Sequence, residues 1–223
     1  MKQTWHDLLF AHWPVPHKTL RPLVPAQLEL DQFDGQCWVG VVPFRMSGIR
    51  ARGTPPLPGL SHFPELNVRT YVTHGGKSGA YFFSLDAANR PAVWAARRFY
   101  HLPYFHAEMS CEDRGGKILY SSRRLQSAAE LQGSYCPTAE VRLRERGSLE
   151  HWLTERYCLY TTHGGDVHRG DIHHQPWPLQ NAEAQLEVNT VAAAAGISLP
   201  ETGPFLLFAR RLEVLIWPPR RTD

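Results

Sequence analysis

Three polar residues of different chemistry alternate along one short, otherwise apolar segment. Glu65, Asn67 and Arg69 are spaced two apart, and side chains at that spacing share one face of a β-strand. A carboxylate, an amide and a guanidinium that point into a barrel each need a partner or a ligand. In that case Arg69 could bind a carboxylate or a phosphate in bidentate fashion. We therefore take these three as candidate ligand-binding residues.

The same alternation has a second interpretation. The intervening Leu66 and Val68 could face the core of a one-sided antiparallel sheet while the polar row faces solvent. The strand alone does not decide between the two faces. A pocket and a solvated surface therefore both remain open at this point.

A second group of ligating residue types lies between positions 163 and 174. It consists of His163, Asp166, His168, Asp171, His173 and His174. These spacings match no standard metal site, and we expect a polar loop with one structural histidine near Trp177. The sequence also has no glycine-flanked serine elbow of the kind that positions a serine nucleophile. We predict neither a metal nor a cofactor.

Composition excludes several classes of protein. The formal charge of +3 comes from 24 basic and 21 acidic residues that are scattered along the chain, which argues against a groove for nucleic acid. The four cysteines are widely spaced, as expected of thiols in a reducing compartment. No signal peptide and no apolar run of about 20 residues is present. We expect a cytoplasmic protein without membrane segments; homo-oligomerisation stays open.

The patterning around the polar row is mainly β. Strands are predicted at 65–73 and 80–86, joined by a glycine-containing hairpin connection, and at 107–111, 118–124 and 139–144. Many short strands with few short helices imply a sheet that curls or closes. The 223 residues fit a single domain spanning 1–223.

Two segments beside these strands bear on a pocket. Pro91 in a first helical turn predicts a short helix that ends before Pro103. Residues 53–64 are too rich in proline and glycine for a strand ladder, and a loop of this length could border or cover a pocket.

Several motifs resemble a known family. They are the run 63–72 (FPELNVRTYV), the strand 79–86, Leu102–Pro103–Tyr104 and the segment 174–180. Together they span nearly the whole chain and resemble the YqjF-like uncharacterised proteins, which are similar in fold to acetoacetate decarboxylase. The resemblance implies a closed or cone-shaped, largely antiparallel β-barrel with a few short flanking helices and an enclosed pocket.

The decarboxylase uses a lysine that forms a Schiff base, and this sequence departs from that pattern. Tyr104 and Phe105 occupy the positions that match the paired lysines of the decarboxylase. The four lysines elsewhere, Lys2, Lys18, Lys77 and Lys117, lie in contexts that do not suggest enclosure. We therefore do not expect acetoacetate decarboxylase activity, and whether the protein is an enzyme at all stays undecided.

The resemblance adds two candidate residues. Tyr104 could donate a hydrogen bond or act as a weak acid where the amine would be, or it could simply fill the core beside Phe105. Arg97, on the preceding helix, could supply charge to a pocket, or it could be an ordinary exposed helix arginine.

Two functions are consistent with the sequence. The first is a small-molecule-binding barrel, acting without Schiff-base chemistry on an anionic ligand such as an organic acid or related metabolite, through Glu65, Asn67, Arg69, Arg97 and Tyr104. The alternative is a noncatalytic barrel that serves as a protein-interaction or structural domain. A pocket with buried Glu65 and Arg69 favours the first, and a filled interior favours the second.

Overall fold

The computed structural model describes residues 1–56 and 61–222, and most of them lie in strands. The strands are β1 (Lys2–Val15), β2 (Glu29–Leu30), β3 (Cys37–Arg50), β4 (Phe63–His74), β5 (Lys77–Ala87), β6 (Tyr104–Arg114), β7 (Lys117–Arg124), β8 (Glu130–Pro137), β9 (Cys158–His163), β10 (Asp166–His174), β11 (Gln180–Asn189), β12 (Phe205–Ile216) and β13 (Arg220–Arg221). The helices are α1 (His17–Leu20), α2 (Arg90–Tyr100) and α3 (Leu149–Thr154), with 3₁₀ turns at Arg21–Leu23 and Ala193–Ala195.

The strands close into two circuits that share a wall. Strands β5 and β12 each pair with three other strands, so the sheet branches at both. One circuit has nine strands in the order β5-β6-β7-β8-β11-β12-β1-β3-β4, and the other has seven in the order β5-β9-β10-β12-β1-β3-β4. Only the β5–β6 and β5–β9 pairings are parallel among the described strands. The predicted closed, largely antiparallel β fold is confirmed.

The two circuits share the wall formed by β12, β1, β3, β4 and β5. Side chains that alternate along these strands point into two different interiors. Leu66 and Val68 of β4 point into a core that includes Tyr120 and Tyr135 of the nine-strand circuit. Glu65 and Asn67, which alternate with them in sequence and lie on the opposite face, line a cavity that is also bounded by β9 and β10. The shared wall is therefore buried on both faces, with a filled apolar core on one side and the cavity with the polar row on the other.

The hairpin between β4 and β5 fixes the register of the polar row. It turns through Gly75 and Gly76, whose φ angles of 57° and 72° are the left-handed values that a two-residue hairpin turn with the correct twist requires. The predicted strands 65–73 and 80–86 are confirmed and are longer than predicted, because the turn needs only these two glycines.

The predicted helix after Pro91 is confirmed as α2. The Asn89 side chain accepts a hydrogen bond from the Ala92 amide at 3.0 Å and caps the first turn. His101 ends the helix in the left-handed conformation, with φ of 53°. One face of α2 covers the cavity of the seven-strand circuit.

Some predictions were wrong. Residues 139–144 form no strand and contribute only an isolated bridge between Arg142 and Leu179; the strand that pairs with β7 is β8, just before them. Of the predicted loop 53–64, positions 57–60 lie outside the described residues, and Phe63 and Pro64 belong to β4.

None of the described helices is long and apolar enough to cross a membrane.

The parallel contact between β5 and β9 leaves no room for a side chain at Gly79. A Cβ atom there would lie 2.6 Å from Cys158 Sγ and 2.8 Å from the Cys158 carbonyl oxygen. We expect Gly79→Ala to lower the free energy of unfolding by roughly 1–3 kcal/mol, as overpacking in a core does. Urea denaturation measures this. The control Gly203→Ala, where nothing lies within 4 Å, should leave stability nearly unchanged; equal effects of the two variants would contradict the packing argument.

Candidate functional site

A cavity of about 440 Å³ lies inside the seven-strand circuit. Its walls come from every strand of that circuit and from α2, and most of its lining is apolar. Volumes of this size, with few polar groups among apolar walls, are typical of small-molecule sites. The polar groups on its wall therefore determine what it can bind.

The polar row of β4 lies on the cavity wall. Glu65, Asn67 and Arg69 all line the cavity and are only 4%, 5% and 9% exposed. The solvent-facing interpretation of this row is therefore excluded. The structure brings these three residues together with Tyr104, as the pocket hypothesis requires.

Glu65 and Tyr104 form a hydrogen-bonded pair. The Tyr104 hydroxyl donates to Glu65 Oε2 at 2.7 Å. Burial raises the pKa of Glu65 from 4.5 to about 8, with the Tyr104 hydrogen bond opposing this rise and nearby Asp86 adding to it. Burial, and then Glu65, raise the pKa of Tyr104 well above 10. At neutral pH Glu65 is mostly protonated and Tyr104 remains a donor.

Arg69 is a buried cation without a counter-ion. Its Nη2 donates one long hydrogen bond, at 3.4 Å, to the Leu153 carbonyl oxygen, and its Nε has no partner. Within the described residues no carboxylate lies within 4 Å of it. The guanidinium instead lies 5.5 Å and 5.6 Å from the ring centroids of Phe10 and Tyr71, contacts that offset only part of the lost hydration.

Arg156 lies near the same aromatic ring and was not predicted. Its guanidinium is 4.8 Å from the Tyr71 centroid, and its Nη1 pairs with Asp31 Oδ2 at 2.6 Å. Its Nη2 has no partner, and the residue lines the cavity. Tertiary closure of the seven-strand circuit brings it there, so no local sequence pattern marks it.

A neutral histidine supports this end of the cavity. His12 Nε2 and the Tyr71 hydroxyl are 2.5 Å apart. Burial, and then the charge of Arg69, hold the pKa of His12 well below its usual 6.5. A Cβ atom at Gly40 would lie 2.9 Å from His12 Nε2 and 3.5 Å from Arg69 Cγ, so the missing side chain makes room for both.

Two further polar atoms on the cavity wall lack partners. They are Asn67 Oδ1 and Trp177 Nε1, and Trp177 belongs to one of the motifs that suggested the family. With Arg69 Nε and Arg156 Nη2, the wall holds three donors and one acceptor that no group among residues 1–56 and 61–222 satisfies. Buried polar atoms are nearly always hydrogen-bonded, so these four mark where a ligand or solvent would bind.

Arg97 lies apart from the cavity. It is exposed, its Nε donates to the Tyr104 carbonyl oxygen, and its guanidinium lies 5.4 Å from the Phe105 centroid. It faces an open groove on the other side of α2. Four of the five candidate residues thus share one cavity, and Arg97 does not.

Tyr104 and Phe105, the residues predicted to match the paired lysines of the decarboxylase, carry no amine. Tyr104 binds Glu65, whereas Phe105 packs 3.9 Å from the guanidinium of Arg124. None of the four lysines is on the described wall of the cavity. Along that wall, no lysine is available for Schiff-base chemistry.

The segment rich in histidine and aspartate is a strand, not the predicted polar loop. It forms β10, which pairs with both β9 and β12. His174 is buried with its ring 5.2 Å from Trp177, as expected of a structural histidine. In the part of the chain that the structure describes, no three His, Cys, Asp or Glu residues are arranged to hold a metal.

Comparison with known proteins gives the family. Residues 2–213 match DUF2071, a family of uncharacterised conserved proteins. The chain belongs to this family. This DUF2071 protein is also 53% identical over 222 residues to the uncharacterised protein YqjF of Bacillus subtilis (strain 168). The alignment covers 99% of this chain and 92% of the relative. The YqjF-like resemblance is confirmed.

Solved structures show that the DUF2071 chain has the acetoacetate decarboxylase-like fold. The acetoacetate decarboxylase of Legionella pneumophila superposes with a TM-score of 0.67 at 10% identity, covering all of this chain and 87% of the enzyme. The enduracididine biosynthesis enzyme MppR superposes with a TM-score of 0.68 at 10% identity, covering 99% and 88%. At these identities the likeness establishes the fold alone.

The raised pKa of Glu65 makes stability depend on pH. Between 4.5 and about 8 the native state keeps a proton that the unfolded chain has released, so stability falls as pH rises, by up to about 1.4 kcal/mol per pH unit from this group. We expect Glu65→Gln to remove that slope, as measured by urea denaturation across this range. The exposed Glu183→Gln is the control and should keep it. An unchanged slope in Glu65→Gln would mean that Glu65 titrates normally.

The Tyr104 hydrogen bond holds the pKa of Glu65 down. Tyr104→Phe removes the donor, so the pKa of Glu65 should rise above about 8 and the falling part of the stability curve should extend to higher pH. Tyr100→Phe, at another cavity-lining tyrosine, is the control and should not move the curve. A shift to lower pH in Tyr104→Phe would refute the assigned role of the hydroxyl.

Proposed function

We propose that this protein binds a small organic acid in the seven-strand cavity, with the carboxylate on Arg69, and acts on it without a Schiff base or other covalent intermediate on the protein. The observation that carries the proposal is the unpaired charge of Arg69. A buried cation without a counter-ion destabilises the fold by several kcal/mol. A ligand carboxylate would supply the missing charge and could accept from Arg69 Nε.

The residues around Arg69 favour an anion from outside the chain. Asp31 already pairs with Arg156, and Glu65 is mostly neutral at pH 7 because burial raises its pKa to about 8. His12 is neutral as well. Arg156 Nη2 and Trp177 Nε1 add donors that suit the oxygens of a carboxylic acid.

The Glu65–Tyr104 pair supplies the acid–base chemistry of the proposal. General acid–base groups work best with a pKa near the operating pH, and the pKa of Glu65, about 8, lies close to neutrality. Glu65 can therefore donate a proton to, or accept one from, a ligand oxygen or carbon. No covalent intermediate on the protein is required.

The solved structures with this fold support a small-molecule role. They include an acetoacetate decarboxylase and MppR in complex with the condensation product of pyruvate and imidazole 4-carboxaldehyde. The alternative, a noncatalytic barrel for protein interaction or structure, would be better served by a filled interior. An open cavity with an uncompensated arginine argues against it.

Replacement of Arg69 separates charge from packing. Arg69→Met should keep or raise the melting temperature of the ligand-free protein. Methionine has a similar length, and the substitution removes an unpaired buried charge. In thermal unfolding with butanoate, 2-oxobutanoate and acetoacetate, the wild type should gain stability, by about 2.7 kcal/mol at a hundredfold excess over Kd. The variant should lose that gain.

Two controls sharpen this test. The neutral butanamide should stabilise neither protein, and the exposed Arg123→Met, at a residue that pairs with Glu108 on the surface, should respond like the wild type. If carboxylic acids stabilise Arg69→Met as much as the wild type, or if no acid of any chain length stabilises the wild type, the proposed function is wrong.

A further inference from the structure

The register of the cavity walls assigns a direction to the ligand. We propose that the cavity takes an amphipathic acid, in which an apolar chain or ring extends from the carboxylate past Glu65 toward Met46 and Phe63. This inference rests on the proposed function, because it takes Arg69 as the site of the carboxylate. It adds the substrate class: acids with an apolar tail, in preference to acids of three or four carbons.

The polar end of the cavity is the level of Arg69. Arg69 pairs across the sheet with Gly40 of β3, and Gly40 in turn pairs with His12 of β1. Directly paired residues point to the same face, so this level holds a guanidinium, an imidazole and a position without a side chain. Arg156 lies near this level, since both guanidinium groups contact the Tyr71 ring.

The walls become apolar in the other direction along β4. Asn67 pairs with Val42, Glu65 with Phe44, and Phe63 with Met46. Met46 in turn pairs with Trp5 of β1, and Trp5 stacks on Trp177 with centroids 6.0 Å apart. Beyond Glu65 the described wall is mainly aromatic and aliphatic, with Met1 and Ile49 among its residues. Gln3 is a polar exception, and its side-chain amide is already hydrogen-bonded to Trp5 and Met1.

The spacing of the levels gives the ligand its shape. Arg69 and Glu65 are four residues apart, about 13 Å along the strand, and Phe63 is about 7 Å further. A ligand whose carboxylate lies on Arg69 would thus pass Asn67 and Glu65 before it reached the apolar end. An oxygen part-way along its chain could accept a hydrogen bond from protonated Glu65.

The volume also suits a longer acid. At the roughly 30 Å³ that a water-sized group occupies in a liquid, the 440 Å³ of the cavity hold on the order of 15 non-hydrogen atoms. An acid of four carbons would leave more than half of this space unfilled. Its apolar end would then hold only water, which apolar walls bind poorly.

A homologous series tests the inference. Dissociation constants of butanoate, octanoate, dodecanoate and tetradecanoate are measured by isothermal titration calorimetry with the wild type and Arg69→Met. Burial of each added methylene should tighten binding by up to about fourfold, so every two carbons added should lower Kd by roughly five- to fifteenfold until the cavity is full. Dodecan-1-ol, which has the tail without the charge, should bind far more weakly than dodecanoate.

Two variants block the apolar end. Met46→Trp and Ile49→Trp each place an indole beyond Glu65. Because Ile49 is partly exposed, its variant remains informative if Met46→Trp fails to fold. Both should weaken dodecanoate and tetradecanoate binding at least tenfold while butanoate binding stays within about twofold. Val141→Trp, at an exposed site, is the matched control and should change nothing.

The outcomes distinguish this inference from the proposed function. If butanoate binds through Arg69 and longer chains bind no tighter, the amphipathic class is wrong while acid binding stands. If longer chains bind tighter but neither indole variant affects them, the chain lies elsewhere and the assigned direction is wrong. If no acid of any length binds, the proposed function itself fails.

Discussion

The Arg69 guanidinium, buried between Phe10 and Tyr71 without a carboxylate beside it, is the constraint to which the rest of the cavity responds. Burial, and then the charge of Arg69, hold the pKa of His12 well below its usual range, and Gly40 leaves the space that both side chains need. The nearby acidic groups do not compensate Arg69, because Asp31 pairs with Arg156 and burial raises the pKa of Glu65 to about 8. In the proposed function, an anion from outside the chain completes this positive site.

The two-circuit sheet explains how the fold tolerates the uncompensated charge of Arg69. The wall formed by β1, β3 and β4 has a filled apolar core on one face and the cavity on the other. Apolar packing in the nine-strand circuit, with Tyr120 donating to the Glu65 carbonyl oxygen at 2.7 Å, fixes the backbone of the polar row. The backbone of that row is therefore held from the opposite face. Asn67 Oδ1 and Arg69 Nε, which have no partner among the described residues, stay available to a ligand.

Much of this could be predicted from local sequence. The spacing of Glu65, Asn67 and Arg69 placed them on one face, and Pro91 marked the start of α2. Local patterns failed where tertiary closure decides the outcome. Strand β1 has no turn signal before it and β10 is rich in histidine and aspartate, so neither was predicted as a strand. Arg156 joins the site only because α3 and β9 pack across the circuit, and Arg97 was placed in the site only because its helix borders it.

The DUF2071 chain keeps the acetoacetate decarboxylase-like fold, but no lysine lines the described wall of its cavity. Tyr104 instead gives Glu65 a hydrogen-bond donor in a largely apolar space. Under the proposed function this pair exchanges protons with the ligand, and Arg69, further along the strand of Glu65, binds its carboxylate.

A crystal structure of the protein with tetradecanoate tests the central claim most directly. The account predicts a carboxylate oxygen within about 2.7–3.2 Å of Arg69 Nε, with the chain running past Glu65 toward Met46. Tetradecanoate bound in the reverse direction, or bound only outside the cavity while Arg69 Nε stays unpartnered, would contradict it.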